Sequence, residues 1–461
     1  MAPTSSIRSR PLKKADFALF IKPLKPTLYA DAPPPPPRHG VVYSPPNIKS
    51  LSWSATGSLL ATCTGANIRV WNAERGPNVK NSTELKNAHA KGGVAFGSAG
   101  VNGDAVEKVA FSPSAEGVLA SCGGDGMVRL WDVRAPGVVG AVGAGKGSPV
   151  LGGCKVGGEA AFLTWRPDGA EVLVGRKDDE VYSVDVRHLA SSNGAAASGI
   201  EATKRLSHGK DVLYEMAFSN TGREIFATAN DGTVKILDYP SMAHLHTLSA
   251  HPAPCYTVQH SPAGNYLAIG SGDGTVSLWD THCWLATHSL AAPNQTTSVR
   301  HLSFSWDGMY LVAGAGSDAK DGMPGLNVWH VDTGEVVHVV ETQYATSQVA
   351  WHPSRYWIAY AGDHGGLKVV GGLGTAWVGP VTGMPLWLSG SFAASKRMSV
   401  ALVVDLFGRS AHVSKIRRLA IARYDGPSPG GYGPIYTPGD DGGKGEETSY
   451  DYFRQARGRD L

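Results

Sequence analysis

One pattern recurs along the chain and constrains its fold more than any other feature. It consists of a short strand-like segment that ends in an aromatic residue or His, a turn, a second apolar segment, a Gly/Asp turn and a third segment that ends in Trp-Asp. Two clear copies are residues 256–280, which close at Trp279-Asp280, and residues 107–132, which close at Trp131-Asp132. Such self-similarity indicates a repeat architecture in which each copy is one structural unit.

Seven copies are present, and each is marked by the residue that ends its first segment. These residues are Trp53, Phe111, Trp165, Phe218, His260, Phe304 and Trp351. Consecutive members lie 42 to 58 residues apart, close to the ~40–45 residues of a four-stranded propeller blade plus insertions. One blade cannot bury both of its faces, so neighbours must stack around an axis. We predict an all-β, seven-bladed β-propeller in which the Trp that ends the third strand packs between blades.

The composition agrees with many short strands joined by tight turns. The chain of 461 residues contains 58 Gly and 29 Pro, and only 18% of its residues are charged. Tight turns need residues that accept positive φ, which Gly supplies. Asp-Gly at 125–126, 231–232 and 273–274 is typical of two-residue hairpin turns. This much glycine argues against long-helix architectures.

The repeat occupies residues 41–372, and we expect this segment to be the propeller. Residues 1–40 are basic and end in five consecutive prolines, so they are predicted to be a flexible, disordered N-terminal arm. Residues 373–425 form a basic C-terminal extension. Residues 426–461 are rich in Gly, Pro and acidic residues and are predicted to be a disordered tail.

The last blade needs an outer strand from one of the two flanks. Either residues 41–43 or the tail after Gly371 is expected to supply it. The Gly-rich stretches at 92–103 and 136–158 follow third strands and are interpreted as insertions on an intact frame.

Basic charge is concentrated in the flanks. Residues 1–25 carry six basic residues and one acidic residue, and residues 391–425 carry seven and two, in a chain whose net charge is +3. The stretch between them, 26–390, is net acidic, which disfavours the propeller itself as a platform for RNA. The flanks are candidates for binding nucleic acid or an import receptor, and a solvated basic coil is the alternative. The candidate residues are Arg8, Arg10, Lys13, Lys14, Arg417 and Arg418.

No motif for catalysis, a cofactor or a metal stands out. Residues 140–148 resemble a phosphate-binding loop, but Gly147 replaces the magnesium-binding hydroxyl and no helix can start at Pro149. His244 and His246 alternate on a predicted outer strand without a third ligand nearby. No apolar run approaches the ~20 residues of a membrane span. We expect no enzyme, no cofactor, no metal site, no small-molecule substrate and no membrane contact.

The five cysteines include no CxxC pair. Their odd number argues against a disulfide framework. We interpret them as buried free thiols of an intracellular protein.

The Trp-Asp signatures indicate WD repeats, and the finer sequence of repeats three to seven resembles the THO complex subunit three family of messenger-RNA export. The turn at 174–179, with Lys177-Asp178-Asp179, is similar to that family's third-repeat turn. Residues 230–240 resemble its fourth-repeat ending, in which Tyr-Pro replaces Trp-Asp. Segments at 250–252, 299–305 and 358–363 continue in family order.

The resemblance implies a non-catalytic scaffold subunit in a nuclear assembly that couples transcription to RNA packaging and export. Its partners would be the other subunits of that assembly, and its location the nucleus. A WD-repeat adaptor of another class, such as a ubiquitin-ligase substrate receptor or a histone-binding module, remains the alternative. WD repeats also use a His at the positions of His89 and His251 to bond a turn Asp and a Trp, so a structural role is implied for both.

Binding propellers use their two open faces, and the candidate interface residues divide between them. Turns between second and third strands share one face with the starts of the first strands. The candidates there are Arg176, Lys177, Asp178, Asp179, Glu107, Tyr256, Arg300 and Gln348. Loops between first and second strands lie on the opposite face, where we expect exposed aromatic anchors. These anchors are Trp306, Tyr356 and Trp357.

Overall fold

Seven four-stranded antiparallel sheets make up the computed structural model. It describes residues 11–29, 47–89, 105–134, 150–186, 202–206, 212–291, 297–316, 325–342, 346–362 and 366–371. The sheets are the blades of a propeller, so the predicted seven-bladed fold is confirmed. Its described helical elements are α1 (Lys14–Ile21) and two single 3-10 turns, Ala73–Arg75 and Val79–Asn81.

The first strand of each blade is its inner strand, and the fourth is its outer strand. Blade 1 contains β2 (Ile48–Trp53), β3 (Leu59–Thr64), β4 (Asn67–Asn72) and β5 (Ser82–Leu85). Blade 2 contains β6 (Val106–Phe111), β7 (Val118–Gly123), β8 (Met127–Asp132) and β9 (Val150–Lys155). Blade 3 contains β10 (Ala160–Trp165), β11 (Glu171–Arg176), β12 (Val181–Asp185) and β13 (Thr203–Leu206). Blade 4 contains β14 (Leu213–Phe218), β15 (Glu224–Ala229), β16 (Thr233–Asp238) and β17 (His244–Ser249). Blade 5 contains β18 (Cys255–His260), β19 (Tyr266–Ser271), β20 (Val276–Asp280) and β21 (Ala286–Leu290). Blade 6 contains β22 (Val299–Phe304), β23 (Tyr310–Ala315), β24 (Leu326–His330) and β25 (Val336–Val340). Blade 7 contains β26 (Gln348–Trp351), β27 (Ile358–Ala361) and β28 (Leu367–Val370), and its outer strand is β1 (Pro26–Tyr29).

The inner strands form a closed ring, in which β2 contacts β6 on one side and β26 on the other. All seven residues used to count the repeats end these inner strands. We call the face at the starts of the inner strands, which also carries the turns between second and third strands, the upper face. The lower face carries the turns between first and second strands.

The core lies in the wedges between blades. Trp131 is buried among residues of blades 1 and 2, and Trp329 among residues of blades 5 and 6. Each ring therefore packs against the preceding blade, as predicted. Burying one large apolar side chain contributes roughly 1.5–3 kcal/mol, so these rings hold neighbouring blades together.

Hydrogen bonds tie two of the tryptophans that end third strands to turns on the upper face. His89 Nδ1 lies 2.8 Å from Asp125 Oδ1, and its Nε2 lies 2.7 Å from Ser121 Oγ, which accepts from Trp131 Nε1 at 2.8 Å. His251 makes the matching contacts to Asp273 and to Ser277, the residue that accepts from Trp279. The structural role expected for His89 and His251 is confirmed.

The N-terminal segment closes the propeller, which differs from the sequence-based expectation. Strand β1 pairs with β28, with Pro26 opposite Val370, so neither residues 41–43 nor the tail supplies the outer strand of blade 7. The prediction that residues 1–40 form a disordered arm is thus wrong for residues 11–29. The physical reason is the apolar spacing of Phe17 and Ile21, which lie one helical turn apart on α1 and are both fully buried.

The remaining flank predictions fall outside the described residues. These comprise the first ten residues, the proline run at 33–37 and everything after residue 371. Outer strand β5 ends before the Gly-rich insertion at 92–103, whereas β9 lies within the insertion at 136–158. Part of the second insertion is therefore blade rather than loop.

Four cysteines are buried and one is exposed. Cys63, Cys122, Cys154 and Cys255 lie in the blades, whereas Cys283 is on the surface, and all five are free. Burial raises the pKa of the Cys63 and Cys255 thiols to about 12. The prediction of buried thiols is right for the first four and wrong for Cys283. Within the part of the chain that the structure describes, no helix is long and apolar enough to cross a membrane.

Candidate protein-interaction site

The upper face brings the starts of inner strands next to turns of the same and neighbouring blades. The backbone amide of Leu213, which starts β14, donates to Asp179 Oδ1 in the turn of blade 3 at 2.9 Å. Tyr214 Oη donates to Asn230 Oδ1, in the turn of its own blade, at 2.9 Å. Residues far apart in sequence therefore share one surface around the propeller axis.

A β-bulge shapes this surface. In blades 1, 2, 3, 5 and 6 the pairing register of the inner strand shifts around its second residue, and in blade 4 the shift covers its second and third residues. Such bulges re-aim a side chain and increase local twist. The second residues of these strands are Lys49, Glu107, Ala161, Tyr214, Tyr256 and Arg300.

Three of these side chains form what we call the Tyr-Arg arc: Tyr214, Tyr256 and Arg300. The guanidinium carbon of Arg300 lies 4.0 Å from the centroid of the Tyr256 ring. The Tyr214 and Tyr256 rings meet edge to face, 4.8 Å apart. Arg300 Nε also donates to Ser298 Oγ at 3.0 Å. The arc is therefore fixed by stacking and hydrogen bonds while each of its members stays partly exposed.

Two ion pairs link inner strands near this surface. Lys49 Nζ donates to Glu107 Oε1 at 2.7 Å, and Lys108 Nζ donates to Glu215 Oε1 at 3.1 Å. Burial raises the pKa of the Glu215 carboxyl, but the charge of Lys108 and its hydrogen bond to the carboxylate act in the other direction, and the net pKa is lowered. The candidate Glu107 is consequently paired with Lys49 within the propeller.

The four candidates in the turn of blade 3, residues 176–179, fall into two groups. Arg176 forms ion pairs with Asp178 and, at 2.7 Å, with Glu180, and Asp179 adopts φ 63° while it binds the next blade. Arg176 and Asp179 hold the turn in shape. Lys177, whose ammonium lies 2.9 Å from Glu159, and Asp178 remain about half exposed. The Glu159 carboxylate raises the pKa of Lys177.

Gln348 lies on β26, at the position that follows the bulge in other blades. Its Oε1 is buried and has no hydrogen-bond partner among the residues that the structure describes. His301 Nδ1, on the neighbouring inner strand, is also buried and has no described hydrogen-bond partner. Burial lowers the pKa of His301 to about 4. Two neighbouring inner strands therefore carry buried polar atoms without described partners.

Of the expected exposed anchors on the lower face, Tyr356 is buried, and Trp306 and Trp357 are partly buried. Tyr356 is only 3% exposed, because the N-terminal segment lies over it: the Leu12 amide donates to Tyr356 Oη at 2.9 Å. Trp306 packs beside Tyr356 with 5.9 Å between centroids, and Trp357 is partly buried under Arg355, 4.7 Å away. The prediction of an exposed aromatic patch is wrong for Tyr356, since α1 fills that surface.

The basic candidates of the N-terminal flank also have different surroundings. Lys13 is exposed and precedes α1, whereas Lys14 forms an ion pair with Glu335 and donates to Thr333 Oγ1 at 3.4 Å. Arg8, Arg10, Arg417 and Arg418 lie outside the described residues.

Residues that the sequence pattern alone does not single out complete this surface. Lys49 and Tyr214 occupy the same strand position as Glu107, Tyr256 and Arg300, so alignment of the seven inner strands carries the signal that identifies them. Among the described residues, no group of three or more His, Cys, Asp or Glu could hold a metal ion.

Comparison with known proteins agrees with this architecture. The family model described as WD domain, G-beta repeat, matches residues 40–72, 99–132, 201–238 and 242–280. The chain is 32% identical over 321 residues to THO complex subunit 3 of Arabidopsis thaliana, covering 68% of this chain and 86% of that protein. It is 26% identical over 336 residues to the WD repeat-containing protein AAC3 of Dictyostelium discoideum, covering 68% and 61%.

A solved structure shares the fold. The β-propeller domain of Cps50 (Swd1) from Myceliophteria thermophila matches with a TM-score of 0.54 and 14% sequence identity, over 71% of this chain and 97% of that one. At this identity the likeness concerns the fold alone.

Proposed function

The chain belongs to the THO complex subunit 3 family of WD-repeat proteins, and we propose on that basis that it is a non-catalytic scaffold in a THO-like complex. The supporting observation is the 32% identity that extends over 86% of the Arabidopsis protein. The same kinship supports a nuclear location and a role in coupling transcription to messenger-RNA packaging and export. Other subunits of the complex are the partners.

The Tyr-Arg arc is the surface we assign to partner docking. Tyrosine and arginine are the residue types that most often dominate binding energy at protein interfaces. Because Tyr256 and Arg300 already stack at 4.0 Å, they lose little side-chain entropy when a partner covers them. Lys177 and Asp178, which are half exposed on the same face, belong to its polar rim.

RNA contact is assigned to the basic flanks. Arg8 and Arg10 belong to one flank, and Arg417 and Arg418 to the other. Phosphate contacts made by such side chains bind RNA in a salt-dependent way.

Purification of the tagged full chain from nuclear extract, with mass spectrometry, tests the proposal. We expect other THO-like subunits to be recovered with it in fixed proportion. Recovery of ubiquitin-ligase components or histones in their place would overturn it in favour of another adaptor class.

A further inference from the structure

The Tyr-Arg arc contains a guanidinium stacked on a tyrosine ring, and this contact indicates what kind of group its rings accept. Arg300, on the inner strand of blade 6, places its guanidinium carbon 4.0 Å from the centroid of the Tyr256 ring in blade 5. The face of a tyrosine ring is electronegative and attracts a cation, and the flat guanidinium of Arg stacks on it well. Side chains at one strand position of two neighbouring blades therefore form a cation–π pair on the upper face.

Tyr214 presents a second ring at the same strand position, one blade earlier. It meets Tyr256 edge to face at 4.8 Å, and its hydroxyl donates to Asn230 Oδ1 at 2.9 Å. Both contacts hold the ring in place, and it is still partly exposed. Among the described residues, no Arg or Lys stacks on Tyr214 as Arg300 does on Tyr256.

One carboxylate reaches this ring from the turn of blade 3. Asp179 Oδ1 accepts from the amide of Leu213, the residue before Tyr214, at 2.9 Å. Burial raises the pKa of Tyr214, and the negative charge of Asp179 acts in the same direction. The Asp179 carboxylate is therefore fixed beside the Tyr214 side chain.

A second carboxylate comes from the turn of blade 4. Asp231 directly follows Asn230, the residue that holds the Tyr214 hydroxyl, and it is exposed. Its Oδ1 accepts from the amide and the hydroxyl of Thr233 at 3.0 and 2.6 Å. The hydrogen bond from the Thr233 hydroxyl holds the pKa of Asp231 below its usual range, so the carboxylate is charged at neutral pH.

These two carboxylates differ from others on the same face, which have a cation beside them. The paired carboxylates include Glu107 with Lys49, Glu215 with Lys108, Asp178 and Glu180 with Arg176, and Glu159 with Lys177. Within the part of the chain that the structure describes, Asp179 and Asp231 belong to no ion pair, and Lys235 acts on Asp231 only at longer range. The surroundings of Tyr214 are thus complementary to a cation.

We infer that Tyr214, Asp179 and Asp231 bind an arginine side chain that a partner subunit presents to the Tyr-Arg arc. Its guanidinium stacks on the Tyr214 ring, and its N–H groups donate to the two carboxylates. Arginine fits better than lysine because a flat guanidinium can stack on a ring and pair with carboxylates at the same time. The inference rests on the proposed scaffold function for the existence of the partner, whereas the binding of arginine can be tested without one.

Three short peptides that differ in one side chain test the chemistry. Acetyl-Gly-Arg-Gly-amide and its Lys and Glu counterparts are titrated separately into the full chain, and the ring NMR signals of its tyrosines are followed. The Tyr214 signal is assigned from its loss in Tyr214→Phe. We expect saturable shifts of this signal with the Arg peptide, about threefold weaker binding of the Lys peptide and no saturable shift with the Glu peptide. The absence of a saturable shift with the Arg peptide, or equal binding of the Glu peptide, would overturn the inference.

Two variants remove the charges and keep the shape of the site. Asp179→Asn and Asp231→Asn retain the oxygen that accepts from the neighbouring backbone amide, and Asn tolerates the φ of 63° at position 179. Each should weaken binding of the Arg peptide about threefold. Removal of the ring in Tyr214→Leu should weaken it about tenfold. Unchanged binding in all three variants would contradict the assignment.

Asp280→Asn is the matched control. Asp280 ends β20, away from the upper face, and its Oδ1 accepts from the His282 amide at 2.7 Å, much as Asp231 accepts from Thr233. This variant removes one carboxylate charge of the same kind and should bind the Arg peptide as the unmodified chain does. A loss equal to that of Asp231→Asn would show a general effect of net charge and would overturn the assignment.

The partner is tested by purification of the double variant Asp179→Asn, Asp231→Asn from nuclear extract. We expect at least one subunit that accompanies the unmodified chain to be lost. If every subunit is retained, docking through a partner arginine is wrong while the scaffold function stands. If the unmodified chain itself recovers no subunits, the scaffold function fails, and the peptide titration still decides whether the site binds arginine.

Discussion

The ring of Phe17 stacks on the ring of Tyr310, with 3.8 Å between centroids and 21° between planes. Phe17 comes from α1, and Tyr310 from the second strand of blade 6. The Tyr310 hydroxyl also donates to the Leu12 carbonyl at 2.8 Å. The N-terminal segment is thus part of the propeller core, and the stability of the whole ring depends on it.

Truncation of Phe17 should destabilise the propeller. Phe17→Ala removes a fully buried ring, and such changes cost about 3–5 kcal/mol because they leave a cavity. Leu19→Ala on the same helix is the control, since Leu19 is 75% exposed and should cost little. Thermal unfolding of both variants measures the difference. Equal melting temperatures for the two variants would show that α1 does not stabilise blades 6 and 7.

Stability should fall as the solution becomes acidic. His352 is 2% exposed, its Nε2 donates to the Gly57 carbonyl at 3.1 Å, and burial lowers its pKa to about 3. The unfolded chain takes up this proton near pH 6.5, before the folded chain does, so the stability is fully present above pH 6.5 and is lost progressively toward pH 3. His301, with a pKa of about 4, adds to the same trend.

Urea midpoints at several pH values between 7.5 and 4 measure this effect. His352→Gln should flatten the dependence, because one of the buried neutral imidazoles is removed. A midpoint that rises toward low pH would be inconsistent with buried neutral histidines.

Removal of the Arg300 guanidinium should weaken partner binding without unfolding the propeller. Arg300→Ala eliminates the stack on Tyr256, and an interface hot spot of this kind is worth about 2 kcal/mol or more, roughly a thirtyfold loss of affinity. Arg134→Ala is the matched control, since the Arg134 side chain is well exposed and pairs only locally with Asp132 among its described contacts. Affinity for the recovered subunits and the melting temperature are measured together. Equal affinities for the two variants would exclude the Tyr-Arg arc as a docking surface.

Neutralising the flanks should reduce the salt dependence of RNA retention. The variant carries Arg8→Ala, Arg10→Ala, Arg417→Ala and Arg418→Ala, and it leaves α1 and β1 intact. Each lost phosphate contact lowers the slope of log affinity against log salt by about 0.7 for single-stranded RNA. Retention on RNA beads at several salt concentrations provides the slope. The same slope in the variant and the unmodified chain would rule out an RNA contact through these arginines.

The repeat is predictable from sequence because each blade follows the same local rule. Every inner strand ends at the residue that marks its repeat, from Trp53 to Trp351, since alternation and turn chemistry are properties of neighbouring residues. The pairing of Pro26 with Val370 has no such local signal. Four extended residues after a short helix resemble linker sequence until their partner strand is known.

The candidate site is predictable in position and less so in role. Tyr256 and Arg300 are candidates from their place at the start of inner strands, and the structure adds that they stack on one another. Arg176 is a candidate from the same pattern but forms ion pairs that hold its own turn. The exposure predicted for Tyr356 is wrong because the helix that covers it lies more than three hundred residues earlier in the chain. Long-range packing of this kind decides exposure and is absent from any local pattern.

The pairing of β1 with β28 determines when, during synthesis, the propeller can close. The ribosome releases β1 ahead of all other described strands, while β28 is the final described strand to emerge. Until then Phe17 and Ile21 have no complete pocket to enter, and an unfinished chain displays them to chaperones and proteases. A chain that ends before residue 367 lacks β28 and cannot close the propeller, even if its first six blades have folded. Closure of the propeller therefore waits for the last described strand, and a chain without it keeps the apolar face of α1 without its complete pocket.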